Sequence, residues 1–170
     1  IEELGKYRFS KIVELSDWLV VEDETKKAKY PPKDFSSAAT FSVGDTWKGR
    51  DFYLWVKKEI EMPDVDDLYL YLNFGHTGGG YNSGFESLMF INGKPYQGVD
   101  SNHKEVKIAD EFRGKKVEVA LKLWSGLEGG GPEQIQVHQF KQAELSQMMV
   151  PVDELFYYAD AINKTVKELG

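Results

Sequence analysis

Hydrophobic and polar positions alternate along most of this chain. From Phe52 to Met62, the residues Phe52, Leu54, Val56, Ile60 and Met62 share one face of an extended segment. Tyr53, Trp55, Lys57, Glu59 and Glu61 share the other. That is the pattern of a half-buried strand. Lys58 interrupts the inner row and predicts a bulge or a frayed stretch there. The run that follows repeats the logic, with Leu68, Leu70, Leu72 and Phe74 inside and Tyr69 and Tyr71 outside. Val117, Val119, Leu121 and Leu123 alternate with charged residues, and Ile135 with Val137 opens a further strand. Between these, Leu88 and Phe90 lie on one side and Met89 and Ile91 on the other, which predicts a strand covered on both faces. Asn92-Gly93 suits a two-residue hairpin turn, leading to a second strand and a third short one before Ile108. Short strands separated by turn signals predict an all-β sandwich.

Two glycine-rich stretches, Gly75 to Gly84 and Gly126 to Glu133, read as loops at the ends of the sandwich. Neither has the spacing of a dinucleotide or phosphate loop. The tail changes period. Leu155, Ala159, Ile162, Val166 and Leu169 fall at steps of four and three, with Pro151 before them and Asp153 placed to cap, so an amphipathic helix is predicted from Val152 to Leu169. Its stripe suits either the sandwich or a following domain. Ile1, Leu4 and Tyr7 suggest a short helical segment at the other end. The chain thus divides into a sandwich over residues 1–150 and a helix over 151–170.

Composition narrows the chemistry. The chain has 170 residues, no cysteine and only three histidines, which excludes disulfides, thiolate metal sites and cysteine nucleophiles. A reducing cytoplasm fits that usage. A formal charge of −7 with scattered lysines speaks against a nucleic-acid partner. No apolar run approaches the ~20 residues that span a bilayer, and IEELGKYRF is not a leader, so no membrane partner is expected and a soluble protein is. The missing initiator methionine suggests an excised piece.

The order of signals resembles the N-terminal domain of glycoside hydrolase family 38 α-mannosidases of the bacterial and cytosolic-vacuolar type. Four marks carry the likeness over nearly the whole chain: YRF with Asp17-Trp18, VGDTWKGRDFYLWVKKEIEMP, GFESLMFINGKPYQGVDSNHKEVKI, and PVDELFYYADAINKTVKELG. The segment from Glu86 to Val106 is the most specific. The resemblance implies a galactose-binding-like jelly roll serving as a non-catalytic accessory domain. It also implies a parent enzyme that hydrolyses terminal α-mannosides with retention, and a helix leading toward a catalytic domain beyond this chain. Zinc is expected in that domain and no cofactor here, because the family's His-x-Asp metal pair has no counterpart. The residues two after His76, His103 and His138 are Gly78, Glu105 and Phe140. No catalytic residue of the family carries over. The implied partners are the chain's own catalytic domain and further copies in an oligomer.

A retaining glycosidase needs two carboxyl groups ~5 Å apart; among Glu86, Asp100, Glu105, Asp64, Asp66 and Asp67 the sequence shows no such pair converging. Glu86, at the mouth of the first glycine loop, is expected to accept hydrogen bonds from loop amides or pair with a cation such as Arg50. The Asp64–Asp67 turn has the oxygens for calcium but not an EF-hand's spacing. His103 is expected to bond within the Asp100-Ser101-Asn102 turn. Asn163-Lys164-Thr165 matches a glycosylation sequon by coincidence. The alternatives are a carbohydrate-binding module that takes α-mannosides through Tyr81, Asn82 and Trp124, with Glu86 close by, or a protein-interaction domain using Tyr53, Trp55, Tyr69 and Tyr71.

Overall fold

A computed structural model of the chain describes residues 1–75, 85–126 and 135–169. The chain folds as an all-β sandwich with a short helix, α1 (Glu2–Gly5), at its start and a long one, α2 (Val150–Leu169), at its end. In chain order the strands are β1 (Phe9–Glu14), β2 (Trp18–Glu22), β3 (Ala39–Phe41), β4 (Thr46–Gly49), β5 (Phe52–Glu61) and β6 (Leu68–Asn73). They continue with β7 (Phe85–Ile91), β8 (Lys94–Asp100), β9 (Glu105–Lys107), β10 (Lys116–Ser125), β11 (Gln136–Gln139) and β12 (Gln142–Met148). One sheet has the order β3-β2-β5-β10-β7-β8, the facing one β1-β12-β6-β9, and β4 with β11 forms a separate ribbon. From β5 onward the chain crosses repeatedly between the sheets, as in a jelly roll.

The alternation read from the sequence places the core. Leu68, Leu70 and Leu72 from β6 meet Val117, Val119, Leu121 and Leu123 from β10 and Met89 and Ile91 from β7 in one buried cluster. Trp18, Phe41, Phe74 and Phe140 fill one part of it, with Phe74 stacked 4.6 Å from Phe140 and edge-on to Trp18. The indole of Trp18 donates to the Leu15 carbonyl and that of Trp47 to the Phe74 carbonyl, so both large rings are buried without stranding a donor.

Several details differ from the sequence reading. No bulge occurs at Lys58, because β5 and β10 pair without a register break from Lys116↔Glu61 to Ser125↔Phe52. Its long stem lets the ammonium leave the inner row and donate to the Asp17 carbonyl. In β11 the expected faces are inverted. Gln136 and His138 are buried, whereas Ile135 and Val137 are more than half exposed. Polar groups go inward there because the hydroxyl of Ser125 meets them. The strand expected to be covered on both faces, β7, is covered only in part, since Phe90 is buried and Leu88 is 41% exposed.

What covers Phe90 is the connection between β2 and β3. It contributes Ala28 and Phe35 to a second, smaller cluster with Trp55, Phe90, Ala120 and Val21 on the outside of the larger sheet. Trp55, expected at an interface, is therefore buried by its own chain. Asp23 pins this cover: its carboxylate takes Lys122 at 2.9 Å and accepts from Thr25 Oγ1 and the Ala28 amide.

Helix α2 begins two residues earlier than predicted, with Pro151 inside its first turn, where proline is tolerated. Asp153 does not cap it, since its carboxylate is taken by Arg8 Nε at 2.7 Å. The same guanidinium reaches Glu105 of β9 at 3.1 Å and 3.3 Å, and the hydroxyl of Tyr157 at 3.2 Å. It lies 5.0–5.1 Å from the ring centres of Phe9, Phe156 and Tyr157. One side chain thus fastens the helix to the sandwich. Tyr69 is consumed in the same corner, edge-on to Phe9 at 5.4 Å. Among the described residues no helix is long and apolar enough to cross a membrane.

Candidate functional site

Register places the sequence candidates. Trp124 of β10 stands opposite Tyr53 of β5 on one side and Glu86 of β7 on the other, and Glu86 in turn faces Asp100 of β8. Directly opposed residues share a face. Tyr53, Trp124, Glu86 and Asp100 therefore form a transverse row on the outer surface of the larger sheet. Two sequence candidates, Glu86 and Trp124, are brought together by it. Tyr81 and Asn82 lie outside the described residues.

Trp124 is half-buried and largely committed to its own chain. Its Nε1 donates to Asp51 Oδ1 at 3.2 Å, and its ring stacks beside Tyr53 with centroids 6.2 Å apart. Asp51 has a positive φ of 48° and also binds Lys26 at 2.9 Å. The Lys26 and Trp124 hydrogen bonds hold its carboxyl below the ordinary range. Tyr53 is pushed up, by burial first and then by Asp51, so its phenol stays protonated. Lys122 Nζ sits 4.7 Å from the Tyr53 ring centre, occupying a face that a sugar would need.

Glu86 is exposed at the end of its strand. No ion pair joins it to Arg50; Arg50 Nη1 is buried with no hydrogen-bond partner among the described residues. Asp100, which faces Glu86 across the strand pair, is engaged within its own turn. The Asp100 carboxylate accepts from the amides of Asn102 and His103, at 2.7 Å and 2.8 Å, and from His103 Nδ1 at 3.0 Å. Burial pushes this carboxyl up, yet the His103 ring and the two amides outweigh it and hold it low. A group so held is a poor general acid at neutral pH. His103 thus has the structural bond expected of it, with Nδ1 toward the carboxylate and most of its ring exposed.

A second constellation is not apparent in the sequence. Ser125 Oγ lies 2.9 Å from His138 Nε2, the distance of a nucleophile and its base. Here it is structural. The hydroxyl donates to the Gly49 carbonyl at 2.8 Å, so the imidazole must donate to the hydroxyl. Both residues are fully buried, and the imidazole stacks on Trp47 at 4.2 Å. No signal links positions 125 and 138 beyond the inverted face of β11.

The acidic turn from Asp64 to Asp67, with its calcium-like set of oxygens, is neutralised from within. Arg113 reaches Asp66 at 2.6 Å and Asp64 at 3.3 Å, and Lys107 reaches Asp67 at 3.2 Å. Among the described residues no three His, Asp or Glu side chains gather to hold a metal ion. No protein-family model matches the chain, and no curated protein matches it.

Proposed function

We propose that this chain is the N-terminal accessory domain of a zinc-dependent retaining α-mannosidase of the family 38 type, inert alone, which packs on the catalytic domain and supports oligomer assembly. The reading rests on the collinear resemblance and on one structural observation: α2 is fastened at its base and uncovered along one side. Phe156 lies against the Arg8 guanidinium, and it, Val152 and Asn163 are half-buried. Leu155, Tyr158, Ile162, Val166 and Leu169 are 56–84% exposed along an adjacent stripe. An apolar stripe on a helix whose other side is already docked is suited to a second partner. In this reading the partner is the domain that carries the zinc and the chemistry.

The test uses the longer polypeptide with its catalytic domain. Leu155→Glu with Ile162→Glu is expected to lower its melting temperature, its subunit number and its hydrolysis of an aryl α-mannoside, while the 170-residue chain carrying the same changes melts as before. If the longer enzyme keeps all three properties, the accessory reading is wrong.

A further inference from the structure

Where β8 of one sheet meets β9 of the other, beneath Tyr157 of α2, a cleft of about 380 Å³ opens to solvent. That volume suits a small ligand, for which clefts of ~300–1,000 Å³ are usual. Its lining includes Tyr71, Gln97, Asn102, His103, Glu105 and Tyr157, and the larger part of it is polar.

The lining groups are held in place from behind. Arg8 binds both oxygens of Glu105 and the oxygen of Tyr157, so these groups have lost much of their freedom before any ligand arrives. Because Tyr157 accepts from Arg8, its own proton is left to donate elsewhere. Asp100 takes Nδ1 of His103, which makes Nε2 an acceptor in the neutral ring; it bonds to nothing among the described residues. Tyr71 is pushed up by burial first and by Glu105 next, and so remains a donor.

Charge decides the class of ligand. The guanidinium of Arg8 is answered by Asp153 and Glu105, and the carboxylate of Asp100 by His103 and two amides. Lys104 adds a single cation, whereas phosphate is ordinarily met by several charged donors. What is offered is a set of donors and acceptors beside two phenol rings, with the Glu105 carboxylate already paired to Arg8. Hydroxyl groups, each donor and acceptor at once, on a ring with an apolar side complement such a surface.

We propose that this cleft binds a neutral polyhydroxylated ring of pyranose size. His103 Nε2 and Glu105 accept from its hydroxyls, the two phenols donate, and the tyrosine rings pack on its apolar side. The inference goes beyond the accessory-domain reading and does not depend on it.

The experiment is a heteronuclear NMR titration of the full 170-residue chain with methyl α-D-mannopyranoside, D-glucose and myo-inositol, and separately with inorganic phosphate. The expected result is saturable shifts at the amides of Gln97, residues 101–105 and Tyr157 with at least one ring polyol. His103→Ala, at a largely exposed side chain, should weaken that binding about fivefold or more, the effect of one lost hydrogen bond, with the strand content by circular dichroism unchanged. Tyr157→Phe should act in the same direction. A flat spectrum with all three polyols at tens of millimolar, shifts with phosphate alone, shifts centred on Trp124, or undiminished binding by His103→Ala would each overturn the proposal.

Discussion

The carboxylate of Asp23 is closed off from water on one side by the segment it holds down, and on the other by the sheet it holds it to. Burial alone would raise its affinity for a proton. The hydrogen bond from Lys122, then Thr25 and the Ala28 amide, reverse that and hold the carboxyl below its ordinary range. A carboxyl with a depressed folded value contributes stability that is present above its unfolded value, about 3.9, and is lost as pH falls through the folded one. The melting temperature should therefore be level from neutral pH to about 5 and fall below 4, and Asp23→Asn should flatten that acid limb. Asp23→Ala, which leaves the half-buried Lys122 without its counter-ion, should cost about 3 kcal/mol at neutral pH by urea denaturation. Trp55 offers a contrast, since its buried indole nitrogen has no partner among the described residues. Trp55→Phe removes this stranded donor along with part of a ring, so a cost of about 1 kcal/mol is expected, against about 4 for Trp55→Ala. At this scale local pairs are legible in the sequence and distant ones are not. Asp100 and His103 stand three apart, so a turn joins them; Trp124 and Glu86 meet only through strand register, which one sequence does not display.

Strands with an apolar row on one side are legible: β5, β6, β7 and β10 all fall where alternation places them. β12 is not, although it lies inside the smaller sheet, because Gln142, Glu144 and Gln147 dilute its apolar positions to Ala143 and Leu145. β11 is legible as a strand but not in its orientation, since hydrophobicity predicts burial only until a partner such as Ser125 makes a polar residue the better fit. The turn between β7 and β8 is legible in full. Asn92 and Gly93 have φ of 49° and 75°, as a hairpin of this length requires. Two glycines then make a graded test. A Cβ at Gly93 would meet nothing within 4 Å, so Gly93→Ala should cost about 1 kcal/mol of backbone strain. At Gly75, φ is 131° and a Cβ would stand 2.7 Å from that of His138, so Gly75→Ala should cost about 3 kcal/mol. Equal melting temperatures for the two variants would contradict this ordering.

For the molecule as a whole, the sandwich and its terminal helices are readable as fold class, while the fastening between them is not. In the sequence Arg8 is one cation among many, and its importance comes from what converges on it: β9, the first turns of α2, and three aromatic rings. Arg8→Met keeps some of the packing and leaves Glu105 and Asp153 without their cation. The expected outcome is unchanged strand content by circular dichroism, with faster amide exchange along α2 and β9 than in the parent chain. Exchange that quickens equally in β5 and β10 would mean that the contact stabilises the entire fold rather than the helix alone.

The order β1-β12-β6-β9 has a consequence for how the chain comes into being. Among the described residues β1 has no sheet neighbour except β12, which lies far along the chain: Phe9 pairs with Met148 and Glu14 with Glu144. On a ribosome the first strand must wait, unpaired, until almost the whole sandwich has emerged, and the two middle strands of that sheet meet just as late. Closure of such distant pairs is slow by nature. Folding of this chain should consequently show a late phase that joins the two ends, and a chain stopped before Gln142 should hold β5 and β10 together while leaving its first strand exposed.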